Sequence, residues 1–389
     1  MMRLTLCACA MMLALESGSA EPAAVGVLDG PETQPMRDGL QRVGVPVSGL
    51  KALDAASLAG CRVLVISGTE PPVKESDKPA IERFLEGGGS VLGVGRAAGR
   101  LIDLGLFDAE TYTMTGTTVH MTVFDGYHRL TFGYPGAEPM GGWSSGVPHL
   151  LRATQGPFMK LGPAATSILI AGGPYSLAAF QRRGKGMLLL IGADPQGGQL
   201  FTEVDQSKPM PGSEIKTDGV LANAVAFLLD RRCNLIPNSG FEEFADLPPA
   251  QSNWSVETRG GAKSEWSKEG APEGQTFLKL TSPEAGASAD ARPSCPIVVE
   301  RGETYAFACR YRSTVPWKVA WQQYKTSGRD PEAEAGPTRE VPASAEWTRF
   351  EVKIAVPPDV AYVRPVLTLA GAGELCVDAV TLCLDEGAQ

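Results

Sequence analysis

Residues 233–243 read CNLIPNSGFEE, and the chain changes character across them. Upstream, short apolar runs alternate with amphipathic stretches of helical period. Downstream come short runs of alternating polarity, Pro/Gly turns and most of the tryptophans. A helical run ends just before the stretch at Leu229-Asp230-Arg231-Arg232, so 233–243 is expected to be the first strand of a second domain, with almost no linker. At 389 residues the chain exceeds what one hydrophobic core usually serves, which fits a division into residues 22–232 and 233–389.

The N-terminus, MMRLTLCACAMMLALESGSAEP, sets one Arg before an apolar run from Leu4 to Leu15 and small residues up to Ala20. This is the layout of a secretory signal peptide spanning 1–20. The run falls short of the roughly 20 residues that a membrane helix needs, and no later stretch reaches that length. The expected product is secreted or periplasmic, attached to the cell surface at most loosely, with a lipoprotein signal at Cys7 or Cys9 as the weaker alternative. A net charge of −9 argues against nucleic acid, whose phosphates demand clustered Lys and Arg. Beyond the signal lie Cys61, Cys233, Cys295, Cys309, Cys376 and Cys383. They form no CxxC pair and no Cys/His group at zinc spacing. Export permits one or two disulfides, and buried thiols acting as small hydrophobes are the competing reading.

In the first region, residues 23–28 are a buried strand that stops at Asp29-Gly30-Pro31. Residues 33–43 carry Met36, Leu40 and Val43 on one helical face. Residues 61–67, CRVLVIS, form a continuous apolar strand, the pattern of a sheet covered on both faces. A helix over 76–86 ends in Gly87-Gly88-Gly89, and residues 90–95 are the next strand. This βαβα order predicts a parallel, three-layer α/β core. Strands are also expected at 111–114, 117–124, 167–171 and 177–180, a loop at 140–146, and a closing helix at 218–229.

The segment IERFLEGGGSVLGVGRAAGRL (residues 81–101) resembles the class I glutamine-amidotransferase-like fold, in its trehalose-utilisation-protein-like and β-galactosidase trimerisation-like branches. FDGYHRLT (124–131) and RGKGMLLLIG (183–192) resemble further segments of the same group. The resemblance implies a flavodoxin-like domain over 22–232. The family's nucleophilic Cys sits at a strand-to-helix elbow, where a helix N-terminus lowers its pKa. Here that position is Gly95, and the strand that should carry the late His ends Gly192-Ala193-Asp194. Glutaminase chemistry is therefore not expected. His128 with Asp125, and Asp194 beside them, are the residues that could still form a polar catalytic site at the sheet's carboxyl edge. The bland alternative makes His128 a packed side chain.

Downstream, NLIPNSGFE (234–242) resembles the opening of the carbohydrate-binding modules attached to bacterial xylanases and cellulases, which share the galactose-binding-like jelly roll. GQTFLKL (274–280), PIVVERGETYAF (296–307), EWTRF (346–350) and VDAVTL (377–382) follow in the family's order. The alternation in FEVKIAV (350–356) and the Pro/Gly turns independently predict an antiparallel sandwich. The resemblance implies structural Ca²⁺ at Glu242 and Asp378, with backbone carbonyls completing an oxygen shell. It also implies an aromatic platform for sugar, because pyranose C–H faces stack on rings. Trp254 and Trp347 hold motif positions expected in the core. Trp317, Trp321 and Tyr324, with Trp266, are the expected ligand contacts. In a strand, Trp317 and Trp321 share one face while Gln322 and Tyr324 share the other.

The sequence thus reads as an exported α/β domain without its nucleophile followed by an all-β jelly roll, binding polysaccharide as a non-catalytic accessory. Two other readings stay open: a carbohydrate-active hydrolase or isomerase working through Asp125 and His128, and a structural or homo-oligomerising protein.

Overall fold

The computed structural model describes residues 24–30, 33–42, 44–68, 73–112, 118–124, 126, 128, 130, 149–153, 157–170, 175–192, 217–236, 239–242, 254–325, 333–385 and 387. The expected signal peptide, the loop at 140–146, Asp125 and Asp194 lie outside these residues.

The first region opens with β1 (Val25–Leu28), α1 (Gln34–Arg42), β2 (Val47–Leu50), β3 (Val63–Ile66), α2 (Lys78–Glu86), β4 (Ser90–Val94) and α3 (Arg96–Asp103). It continues through β5 (Ala109–Tyr112), β6 (Thr118–Phe124), β7 (His149–Ala153), β8 (Phe158–Leu161), β9 (Thr166–Ile170), β10 (Ser176–Arg183), β11 (Gly186–Ile191) and α4 (Thr217–Leu229). Strands β2-β1-β3-β4-β11 run parallel in that order. Helices α1 and α4 bury Met36, Leu40, Leu221, Val225 and Leu228 on one face. Helices α2 and α3 bury Ile81, Leu85, Leu101 and Ile102 on the other. β3 is apolar at every position because both its faces are covered.

The parallel core expected from the βαβα order forms one half of this sheet, and the other half is antiparallel. β10 returns antiparallel from β11 through the tight Gly184-Lys185 turn, and β9, β6 and β7 extend the sheet antiparallel beyond it. The GKG segment is required by packing. A Cβ on Gly186 would lie 1.9 Å from the Gly89 carbonyl, so the two glycine-rich turns can approach only without side chains there. Gly95 has φ 64° and ψ −131° at the junction of β4 and α3, and its N–H donates to the Ile191 carbonyl at 2.8 Å. The sharp strand-to-helix elbow is present, held by a residue without a side chain.

The second region is a sandwich of two antiparallel sheets. Its strands are β12 (Trp254–Arg259), β13 (Lys263–Ser267), β14 (Phe277–Ser282), β15 (Ser288–Pro293), β16 (Ile297–Val298), β17 (Thr304–Ser313), β18 (Trp317–Tyr324), β19 (Glu334–Val341), β20 (Ser344–Ala355), β21 (Tyr362–Ala370) and β22 (Gly373–Leu384). One sheet runs β12-β15-β21-β18-β19 with β16 beside β21, and the other β13-β14-β22-β17-β20. Phe307, Trp321, Leu367 and Leu382 meet between them. The described residues of the expected first strand, 233–236 and 239–242, form no strand. Asn234 works through its side chain: Oδ1 accepts from Ile236 N at 3.0 Å and Leu382 N at 2.9 Å, and Nδ2 donates to the Val380 carbonyl. The amide thus ties the stretch to β22 where a ladder would otherwise run.

Candidate functional site

The two sheets of the sandwich differ in what covers them. The six-stranded sheet meets the first region at one end, while Lys318, Gln322, Arg364 and Thr368 farther along its outer face stay exposed or half-buried. Val298, Tyr324, Ala361 and Tyr362 join the same buried cluster as Ile168, Phe180 and Phe227. The Tyr362 hydroxyl donates to the Ser167 carbonyl at 3.0 Å. Arg231 Nε donates to Glu300 Oε1 at 3.0 Å, and a second, parallel contact joins Nη2 to Oε2. These side chains are 12% and 5% exposed, so the pair is bidentate and nearly buried. Arg182 pairs with Glu303, and Arg301 reaches Thr166 Oγ1.

The sandwich core and this seam between them decide the fate of the expected aromatic platform. Trp317 and Trp321 are 1% and 2% exposed and point into the sandwich. Trp317 lies against Tyr311 and Phe350, and Trp321 against Phe307, with centroids 5.1–6.0 Å apart. No ring face remains for a ligand, which corrects their assignment as ligand contacts. Tyr324 does lie on the opposite face, with Gln322 as expected, but it sits at the end of that face buried against the first region, which corrects its assignment as a ligand contact. Trp266 is half-buried against the core, its ring 5.2 Å from Phe241. The expectation that Trp266 stands exposed is corrected as well. Trp254 is core, as expected.

The five-stranded sheet presents an outer face with a different population. Phe350, Val352 and Ile354 of β20 turn inward, so Trp347, Arg349, Glu351 and Lys353 turn outward. Trp347 had been expected in the core. Its spacing of three from Phe350 puts the two rings on opposite faces of one strand, and that parity was readable in the sequence. The Trp347 indole is half-buried. Its Nε1 donates to the Gly270 carbonyl at 2.9 Å, Phe277 meets it edge-on at 5.3 Å, and the Arg312 guanidinium lies 5.5 Å from its centroid. Around it is a grid of charge. Lys279 reaches Glu374 at 2.9 Å and Glu265 at 3.9 Å, Arg310 reaches Glu273 at 3.0 Å, Arg349 reaches Glu351 at 3.0 Å, and Lys353 reaches Asp385 at 2.6 Å. Cys376, opposite Arg312 in the register, is buried, and its thiol is pushed up to about 11 chiefly by that burial.

Glu242 and Asp378 meet at one end of this face and grip the same turn. Glu242 Oε1 accepts from Gln275 N at 2.6 Å and Thr276 N at 2.9 Å. Asp378 accepts from Ala379 N at 2.7 Å and Glu273 N at 3.3 Å. Asp378 is fully buried, and burial pushes its carboxyl up to about 6, with the neighbouring Glu273 and Glu242 carboxylates adding to the shift and the two backbone N–H groups opposing it. Among the described residues no group of three or more His, Cys, Asp or Glu side chains converges on a metal position.

His128 is 1% exposed, stacked on Phe180 and edge-on to Phe227, and its Nδ1 accepts from Leu130 N at 3.0 Å. Burial lowers it to about 3, which keeps the ring neutral. It is placed as a packed acceptor, not as a proton-transfer group facing a cleft. Cys61, Cys233, Cys295, Cys309, Cys376 and Cys383 are all thiols, so the disulfide alternative is not realised. No described helix is long and apolar enough to cross a membrane.

No protein-family profile matches the chain, and no curated protein matches it. Among solved structures, three show a likeness limited in extent, the two carbohydrate-binding modules over the second region. The family 16 carbohydrate-binding module 2 is 19% identical over 38% of this chain and 99% of its own, with TM-score 0.29. The TmCBM61 module, solved with β-1,4-galactotriose, is 16% identical over 39% of this chain and 99% of its own, with TM-score 0.30. The enzymatically active domain of bacteriophage CBA120 tailspike protein 4 is 17% identical over 39% of this chain, with TM-score 0.33, and the match spans only 21% of the tailspike.

Proposed function

We propose that this chain is an exported, non-catalytic glycan-binding protein whose ligand lies on the outer face of the five-stranded sheet, beside Trp347. The observation that carries the reading is the outward-facing Trp347 indole, held by the Gly270 carbonyl and set beside the Arg312 guanidinium. That indole stands on the five-stranded sheet, away from the end of the six-stranded sheet where Val298, Tyr324, Ala361 and Tyr362 meet the first region, and hydrogen-bonding side chains surround it. A sugar ring stacks on such an indole, and neighbouring polar groups fix its hydroxyls. The carbohydrate-module motifs in the sequence of residues 234–382 support the same reading. For residues 22–232 we retain an amidotransferase-like domain without its nucleophile. The parallel strand order and the Gly95 elbow support that, and the neutral, enclosed His128 supports a non-catalytic role.

Glu242 and Asp378 are the residues that would hold Ca²⁺. The charge on the fully buried Asp378, beside two further carboxylates, is what a divalent cation would neutralise. Backbone carbonyls would supply the remaining oxygens, and the bound ion would lock the 273–276 turn against β22.

Affinity electrophoresis of the whole mature chain through gels containing xylan, β-glucan, galactan or polygalacturonate tests the reading. Retardation by at least one polymer, abolished in Trp347→Ala and retained in Trp266→Ala, is expected. A folded chain that no polysaccharide retards would end it.

A further inference from the structure

Among the described residues most basic side chains on the outer face of the five-stranded sheet stand against a carboxylate; the half-buried Arg312 does not, and neither does the exposed Lys263 at the sheet's edge. Lys279, Arg310, Arg349 and Lys353 each have a carboxylate within 3.0 Å. Arg312 has none within ion-pair distance among the described residues. Its one side-chain hydrogen bond there is from Nη2 to the Cys376 sulfur, at 3.9 Å. It projects from β17 in the row formed by Lys279, Cys376 and Arg312, and it is half-buried against the Trp347 ring.

A guanidinium lying over an indole is oriented by that contact and gives up part of its hydration to it. Its fork of N–H donors then stays available and matches a planar carboxylate. The position matters as much as the charge. A pyranose beside the indole would bring an exocyclic group within reach of the same side chain. Glu374 feels the Arg312 charge, but its hydrogen bonds go to Lys279 Nζ at 2.9 Å and the Cys376 thiol at 3.4 Å, and it forms no ion pair with the Arg312 fork.

We propose that Arg312 selects a carboxylate-bearing sugar, so that the ligand is a polymer containing uronic acid. This rests on the reading of the Trp347 face as the glycan site and sharpens it to one substrate class.

The test compares polygalacturonate, alginate and glucuronoxylan with their carboxyl-reduced counterparts, with dextran sulfate as a source of charge without carboxylate. Wild-type chain is expected to be retarded at least tenfold more strongly by one uronate polymer than by its reduced form, and the difference should shrink as salt rises. Arg312→Ala should erase the preference. Arg312→Lys, which keeps the charge and stem but not the fork, should lose most of it while thermal melts confirm folding. Trp347→Ala should abolish retention by acidic and reduced polymers alike.

Retention by reduced polymers that depends on Trp347 and is unchanged by Arg312→Ala would overturn the uronate assignment alone. Equal retention by dextran sulfate and the uronate polymer would overturn it in favour of unspecific charge. No retention by any polysaccharide would overturn the glycan reading itself, and the uronate assignment with it.

Discussion

The Tyr362 hydroxyl donates a 3.0 Å hydrogen bond to the Ser167 carbonyl, from the sandwich into the sheet of the first region. Both residues are buried, and the bond crosses a seam lined by Val298, Tyr324 and Ala361. The two regions therefore share apolar surface that neither can leave exposed without cost.

One consequence is cooperative unfolding. Calorimetry of the whole chain should show a single transition with matching calorimetric and van't Hoff enthalpies. Tyr362→Phe should cost about 1–3 kcal/mol, because the Ser167 carbonyl loses its buried donor. Glu300→Ala should cost about 3–5 kcal/mol by leaving the Arg231 guanidinium nearly buried and unpaired. Two well-separated transitions would contradict the shared core.

The tryptophans should divide into two classes. Trp317→Ala and Trp321→Ala remove fully buried rings and should destabilise by about 3–5 kcal/mol. Trp347→Ala removes a half-buried ring on an outer face and should cost clearly less in denaturant melts, while removing glycan retention. A loss of stability at Trp347 as large as at Trp321 would place it in the core after all.

Asp378 predicts an unusual dependence on acid. Its folded value of about 6 stands above the ordinary 3.8. Between these values the native state holds more protons than the unfolded chain, so stability falls as pH rises through this window and the penalty is complete above it. Asp378→Asn should therefore stabilise the metal-free chain at pH 7 by about 1–3 kcal/mol, with little effect at pH 4. Calcium should raise the melting temperature of wild type at pH 7 and leave Asp378→Asn unmoved. A melting temperature indifferent to both calcium and EDTA would remove the cation from the site.

His128 works in the opposite sense. Its folded value of about 3 lies below the ordinary 6.5, so the unfolded state binds the extra proton. Stability contributed by the neutral ring is complete above pH 6.5 and is lost as pH falls toward 3, at up to about 1.4 kcal/mol per pH unit. His128→Asn should flatten that slope in urea melts between pH 6.5 and 4. An unchanged slope would mean that the imidazole takes a proton in the native state.

Much of this was legible in residue patterns. The continuous apolar run in β3 announced a strand covered on both faces, and Gly87-Gly88-Gly89 announced the end of α2. The parity of 317–324 correctly separated Trp317 and Trp321 from Gln322 and Tyr324. The alternation at 350–356 correctly oriented β20, and the same count applied to Trp347 would have turned it outward. The antiparallel half of the first sheet was less legible, because strand direction depends on which neighbour a strand finds and not on its own composition.

The sequence by itself determined the α/β character of the earlier elements, the all-β character of the later ones, and which side chains share a face within each strand. These follow from local periodicity, which every residue carries with it. Only the tertiary structure decided where the first region meets the sandwich, that Tyr324 is covered there, and that Arg312 lacks the carboxylate its neighbours Lys279, Arg310, Arg349 and Lys353 have. Those outcomes depend on packing between segments far apart in the chain, and burial is a property of the pair in contact and not of either partner alone.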